Sequence, residues 1–97
     1  MIEIIISKSD KRRYKFKALV DNDKTIYFGA SGYSDYTIHK DDKRKERYLN
    51  RHAKREKWDD PLTAGFYSRW ILWNKPSIEE PIKDINKMFK GLTIKLK

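Results

Sequence analysis

Apolar side chains at every second position of the first third of the chain constrain the fold most strongly. Ile2, Ile4 and Ile6 share one face over 2–6, and the same period-two pattern returns over 14–20, where Lys15 and Lys17 lie on the other face. This spacing is typical of strands with one packed face and one solvated face. Asp21-Asn22-Asp23 has the composition of a turn between two such strands. The pattern predicts three strands, at about 2–7, 12–20 and 24–29.

Helix-start signals dominate the remainder of the chain. Asp41 can cap one helix, Asp60 followed by Pro61 favours a second start, and Ser77 with Glu80 forms the capping box of a third. The predicted fold class is therefore α+β: a small antiparallel sheet of three to four strands packed by two to three helices, in a single domain over residues 1–97. The predicted helices cover about 42–56, 61–73 and 78–89, and a candidate last strand covers 93–96.

The charge of the chain favours an anionic partner. Among 97 residues, 23 are Lys or Arg and 14 are Asp or Glu, which gives a net charge of +9. Cysteine is absent, which excludes disulfides and thiolate metal sites. No apolar run approaches the roughly 20 residues that span a bilayer, and none has the form of a signal peptide. The sequence predicts an intracellular protein with no membrane partner and no cofactor.

Two basic segments, residues 8–17 and 40–57, hold most of the excess charge, and the second can be placed on a helix. Residues 40–57 contain nine basic and four acidic residues. Helical spacing puts Tyr48 and His52 on a packing side and a row of cations on another side. Like charges four residues apart destabilise a helix by about 0.2–0.5 kcal/mol per pair, so the row is locally unfavourable unless an anion lies opposite it. The row consists of Lys43, Arg47, Arg51 and Lys54.

Nucleic acid is the leading partner class on these grounds. The contacts would go to phosphates, because no residue pattern suggests base reading. A solvated charged face and an acidic protein surface remain the alternatives. The candidate phosphate contacts are Arg12, Arg13, Lys15, Lys43, Arg44, Arg47, Arg51, Lys54 and Arg55.

No residue set selects a catalytic mechanism or a metal site. Asp35, His39 and His52 match no metal-ligand spacing, and Gly29-Ala-Ser-Gly32 lacks the Lys-Ser/Thr ending of a phosphate-binding P-loop. The chain is therefore predicted not to be an enzyme, with a small metal-dependent nuclease using either histidine as the less favoured alternative. The polar, aromatic connection after the third strand supplies second-tier candidates for stacking on bases. These candidates are Tyr33, Tyr36 and His39.

A long motif string gives a family resemblance. It consists of FGASGYSDYTIHKD at 28–41, RYLNRH at 47–52, Trp58, and TAGFYSRWILWNKP at 63–76. In these residues the chain resembles a family of small basic proteins, without an established activity, that large DNA viruses of algae and amoebae encode. The resemblance covers about residues 12–80 and transfers no functional residue. It implies a protein of the host cytoplasm, nucleus or viral factory, or of the virion. The roles implied are the packaging or handling of viral DNA, which favours DNA over RNA as the partner, and, alternatively, a minor structural part of the virion.

Overall fold

The structure, a computed structural model, describes residues 2–97 and contains four strands and four short α-helices within that range. The α+β class is confirmed. A π-helical segment, Ser68–Leu72, continues directly from the third helix. The elements in chain order are β1 (Ile2–Lys8), β2 (Tyr14–Val20), β3 (Lys24–Ala30), α1 (Tyr36–His39), α2 (Asp42–His52), α3 (Ala64–Tyr67), α4 (Glu79–Met88) and β4 (Leu92–Leu96).

The sheet has the order β3-β2-β1-β4. β1, β2 and β3 form the antiparallel meander that the alternation predicts, with Ile6 opposite Ala18 and Ala18 opposite Ile26. β4 pairs parallel to β1, with Ile4 opposite Ile94. The expectation of a purely antiparallel sheet was therefore wrong for the last strand. β4 returns through the helical half of the chain, and such a crossover connection permits parallel pairing.

The core lies between one face of the sheet and the segment 64–89. Alternate residues of β1 are fully buried, Ile4 and Ile6 at 0% exposure each, as the period-two pattern predicts. The helical side contributes side chains that are also buried, namely Phe66, Tyr67, Ile71, Leu72 and Ile85. Phe28 meets Tyr67 across this layer, with ring centroids 5.4 Å apart. Burial of aromatic area of this kind compensates for the low apolar content of the chain, which is 38%.

The predicted start of the second helix at Asp60-Pro61 was wrong. The Asp60 carboxylate accepts a hydrogen bond from the Leu62 N–H at 3.0 Å and closes a turn. The helix begins after Thr63, whose hydroxyl accepts from the Phe66 N–H at 3.3 Å. α3 then widens into the π-helical segment, in which the Trp73 N–H donates to the Ser68 carbonyl. Both Asp60 and Thr63 can cap, and packing of Phe66 and Tyr67 selects the later start.

α2 begins at its predicted residue and ends at His52, earlier than the predicted residue 56. The Asp41 carboxylate caps the helix by accepting from the Lys43 N–H at 2.9 Å. Beyond the helix, the Arg55 and Glu56 N–H groups both donate to the His52 carbonyl. The backbone therefore continues as a tight turn up to Glu56, and this turn places the Glu56 side chain beside His52. No helix within residues 2–97 is long and apolar enough to cross a membrane.

Candidate functional site

The face of α2 directed away from the protein body carries the predicted row of cations. Lys43, Arg47 and Arg51 are exposed on the helix, and Lys54 is exposed just after its end. None of the four forms an ion pair with a carboxylate of residues 2–97. Arg44 and Arg55 are exposed in the same segment. We call the row formed by Lys43, Arg47, Arg51 and Lys54 the basic face.

The opposite side of α2 attaches the helix to the protein body. Tyr48 is 6% exposed and stacks on Trp73 with ring centroids 4.1 Å apart and planes 3° from parallel. Burial raises the pKa of Tyr48 far above its ordinary value, so its hydroxyl stays neutral. Lys45 donates to the Asn74 carbonyl at 2.6 Å and lies over the Tyr36 ring, and burial lowers its pKa. Lys45 therefore anchors the helix and does not belong to the basic face.

The first basic segment supplies two exposed arginines and one paired lysine. Arg12 and Arg13 lie exposed in the turn between β1 and β2. The Lys15 ammonium lies 2.6 Å from the Asp35 carboxylate, whose residue is 2% exposed. Thr37 also donates to this carboxylate, from its backbone N–H at 2.9 Å and from its hydroxyl. Of the phosphate contacts predicted in this segment, Arg12 and Arg13 are free of carboxylates within residues 2–97, whereas Lys15 is occupied by Asp35.

A cleft of about 480 Å³ separates α2 from the end of β3. Arg44 and Arg51 line it from α2, and Tyr33 lines it from the connection after β3. Leu72, at the end of the π-helical segment, and Trp73, directly after it, line the remaining side. The Ser31 N–H donates to the Arg13 carbonyl at 2.8 Å, so the first basic segment adjoins the same connection. The fold thus gathers residues from both basic segments around the connection after β3.

Two carboxylates in this cleft have intramolecular partners. Asp35 is held by Lys15 and Thr37. Glu56 lies 2.8 Å from the Nδ1 atom of His52 and accepts from the Trp58 indole N–H at 3.0 Å. A side chain at Gly65 would collide with Glu56, since an added Cβ would lie 2.8 Å from its Oε2 atom. The Glu56 contact orients the imidazole of His52 beside the cleft.

The three stacking candidates differ in exposure. Tyr33 is 74% exposed and lines the cleft. Tyr36 is buried and donates its hydroxyl to Asp42 at 2.5 Å, a hydrogen bond that raises its pKa. His39 accepts from the Asp41 N–H at 2.9 Å, and burial lowers the pKa of its imidazole. Tyr33 is therefore the candidate whose ring is accessible to a ligand.

Several residues of this site were not predicted from the sequence. Glu56, Ser68, Leu72 and Trp73 all line the cleft. The i,i+4 spacing of His52 and Glu56 is the one local signal that could have indicated their pairing. The contributions of the other three depend on how the π-helical segment packs, which no local pattern records.

No group of three or more His, Asp or Glu side chains that could hold a metal ion occurs among the described residues, in the cleft or elsewhere. The groups of the basic face and the cleft that are open to a ligand are cations and the ring of Tyr33. These are groups that bind anions and flat rings.

Comparison with known proteins gives a family and no function. A model of a family of unknown function, DUF5754, matches residues 4–52. The chain belongs to DUF5754. The DUF5754 match runs from β1 to the end of α2, and so contains the cleft-lining Tyr33, Arg44 and Arg51. The chain matches no curated protein and no solved structure.

Proposed function

We propose that the protein binds nucleic acid through its phosphates, without sequence specificity, and that the basic face of α2 is the main contact. The observation that carries this proposal is the exposure of the four cations together with the absence of ion pairs to carboxylates of residues 2–97. Arg12, Arg13, Arg44 and Arg55 extend the contact. Lys15 is not part of the proposed phosphate contact, because its ammonium group is paired with Asp35.

The charge patterns of α2 and α4 differ, and the difference supports an external anion as the partner of the basic face. α4 carries Lys83 and Lys87 four residues apart, but Glu79, Glu80 and Asp84 are interleaved with them. Mixed charges of this kind serve solubility and add small stabilising pairs. Within 43–54 the one acidic residue is Glu46, and it forms no ion pair with the basic face, so most of the repulsion among these cations remains until an external anion binds. Phosphates convert this repulsion into attraction and release counterions.

The dimensions of the basic face suit a nucleic-acid backbone. Residues 43–54 extend over roughly 16 Å at 1.5 Å per residue, which corresponds to about five steps along a strand at 3.4 Å. Four to six phosphates are therefore within reach of the exposed cations. DNA is the favoured partner, and a role in packaging or handling the DNA of a large virus is the setting that the sequence resemblance suggests.

Salt-dependent binding tests this function. We expect labelled duplex and single-stranded DNA to bind in a polarisation titration. The affinity should fall by about two to three orders of magnitude between about 50 and 200 mM salt, because four to six phosphate contacts release counterions. Absence of binding to DNA and RNA at low salt would contradict the proposal.

An acidic polypeptide and a cleavage assay provide the controls. If poly-glutamate displaced the DNA at equal charge concentration, the partner would be an acidic protein surface rather than a phosphate backbone. Plasmid incubated with the protein and Mg²⁺ or Mn²⁺ is expected to stay intact. Cleavage that His52→Ala or His39→Ala abolished would instead show a nuclease.

A further inference from the structure

The cleft beside α2 combines cationic groups with an exposed aromatic ring. Arg44 and Arg51 reach it from the helix that carries the basic face, and Arg51 belongs to both. Tyr33, 74% exposed, lies on the side formed by the connection after β3. A strand that follows the basic face therefore passes the mouth of the cleft.

We propose that this cleft accepts one unstacked nucleotide of a single strand, with its base against Tyr33 and its phosphate between Arg44 and Arg51. The inference rests on the proposed function and adds to it a preference for single-stranded nucleic acid. The volume of about 480 Å³ lies within the range of roughly 300–1,000 Å³ that holds small-molecule groups. Aromatic side chains stack on any base, so this contact requires no sequence preference.

The charges within the cleft favour an anionic occupant. Its two carboxylates, Asp35 and Glu56, are engaged by Lys15, Thr37, His52 and Trp58. The two arginines form no ion pair with a carboxylate of residues 2–97. A phosphate at the mouth therefore meets cations whose charge is not neutralised within the described structure, and guanidinium groups bind phosphates in a bidentate manner.

The same geometry disfavours a duplex at this position. A paired base is stacked between its neighbours and cannot reach a ring inside a cleft unless it is first unpaired and extruded. In a single strand the base has no pairing partner, so moving it into the cleft costs much less free energy. A duplex would contact the basic face alone, whereas a single strand would contact the basic face and the cleft.

Two variants at Tyr33 and one elsewhere test the inference. The probe is a labelled single strand of about 16 nucleotides, compared with a hairpin duplex in the same salt. We expect Tyr33→Ala to weaken single-strand binding roughly tenfold, the loss typical of removing one base–aromatic stack, and to leave duplex binding unchanged. Tyr33→Phe should retain single-strand binding, because the ring remains. Tyr14→Ala is the matched control, since Tyr14 is a 39% exposed tyrosine that does not line the cleft.

The outcomes separate this inference from the proposed function. Equal binding of single strand and duplex, both unaffected by Tyr33→Ala, would overturn the cleft proposal and leave phosphate binding by the basic face intact. A free mononucleotide that competed as strongly as the strand would also overturn it, because the cleft would then be a site for small nucleotides. Failure of both probes to bind at low salt would instead overturn the proposed function.

Discussion

The Lys15 ammonium lies 2.6 Å from the Asp35 carboxylate, and their side chains are only 19% and 3% exposed. This ion pair joins β2 to the connection after β3 and forms part of the wall of the cleft. It has a structural role, because the carboxylate also caps α1 by accepting from the Thr37 N–H. Lys15, which was predicted from the sequence to contact phosphate, therefore stabilises the wall of the cleft instead.

Asp35→Ala should destabilise the protein by about 2–4 kcal/mol. The substitution leaves the half-buried Lys15 ammonium unpaired and removes the acceptor of the Thr37 N–H, and both changes are costly in a partly desolvated position. Urea unfolding measures the effect as a lower midpoint. Lys15→Met combined with Asp35→Ala should be less destabilising than the sum of the two single changes. Strict additivity would show that the ion pair does not form.

The stack of Tyr48 on Trp73 is expected to be the main attachment of α2. Tyr48→Ala should lower the free energy of unfolding by about 3–5 kcal/mol, the range for buried aromatics, and Trp73→Ala should lower it by less, because Trp73 is only partly buried. In a double-mutant cycle the two rings should show a coupling of about 0.5–1.5 kcal/mol. A coupling near zero would contradict the parallel stacking. Amide hydrogen exchange in Tyr48→Ala should show α2 losing protection before the sheet does.

Gly29 permits a close approach that no other residue allows. Its φ is +74°, and an added Cβ would lie 2.8 Å from the Cδ1 atom of the buried Leu72. Gly32 has a φ of +87° but no neighbour within 4 Å. Gly32→Ala should therefore cost only the left-handed backbone strain of about 1–2 kcal/mol, whereas Gly29→Ala should cost a further 1–3 kcal/mol, approximately, from overpacking. Equal losses in urea midpoint would show that the Leu72 contact is absent.

Protonation of His39 should destabilise the fold. Its Nδ1 atom accepts from the Asp41 N–H, which requires the neutral ring, and burial together with the positive charge of Arg44 lowers its pKa. The stabilisation is complete above the unfolded-state pKa of about 6.5 and is lost as the pH falls through the lower folded-state pKa. His39→Asn keeps an acceptor without this titration, so its stability should be flat over that window. An identical pH dependence in both proteins would contradict the assignment.

The strands and α2 could be predicted because their signals are local. Alternation of isoleucines marked β1, and Asp41 marked the start of α2 with the correct residue. The burial of Tyr48 and the exposure of Arg47 followed from helical spacing alone. Features of this kind depend on residues within a few positions of one another.

The rest depended on contacts between residues far apart in sequence. The sequence could not show that Lys15 meets Asp35 20 residues later, or that β4 would add parallel to β1. The choice between Asp60 and Thr63 as a helix start was decided by packing of the following aromatics. The cleft was missed for the same reason, because it forms only when α2, the connection after β3 and the π-helical segment come together.

Charge reversal on the basic face tests the central claim most directly. One variant carries Lys43→Glu and Arg47→Glu, and the control carries Lys83→Glu and Lys87→Glu, an exposed pair with the same four-residue spacing on α4. Both variants have the same net charge, so a general charge effect would weaken DNA binding equally. We predict that the α2 variant loses binding and reduces the slope of log K against log salt by about two, while the α4 variant stays close to the unmodified protein. Equal losses in the two variants would contradict a phosphate-binding role for this face.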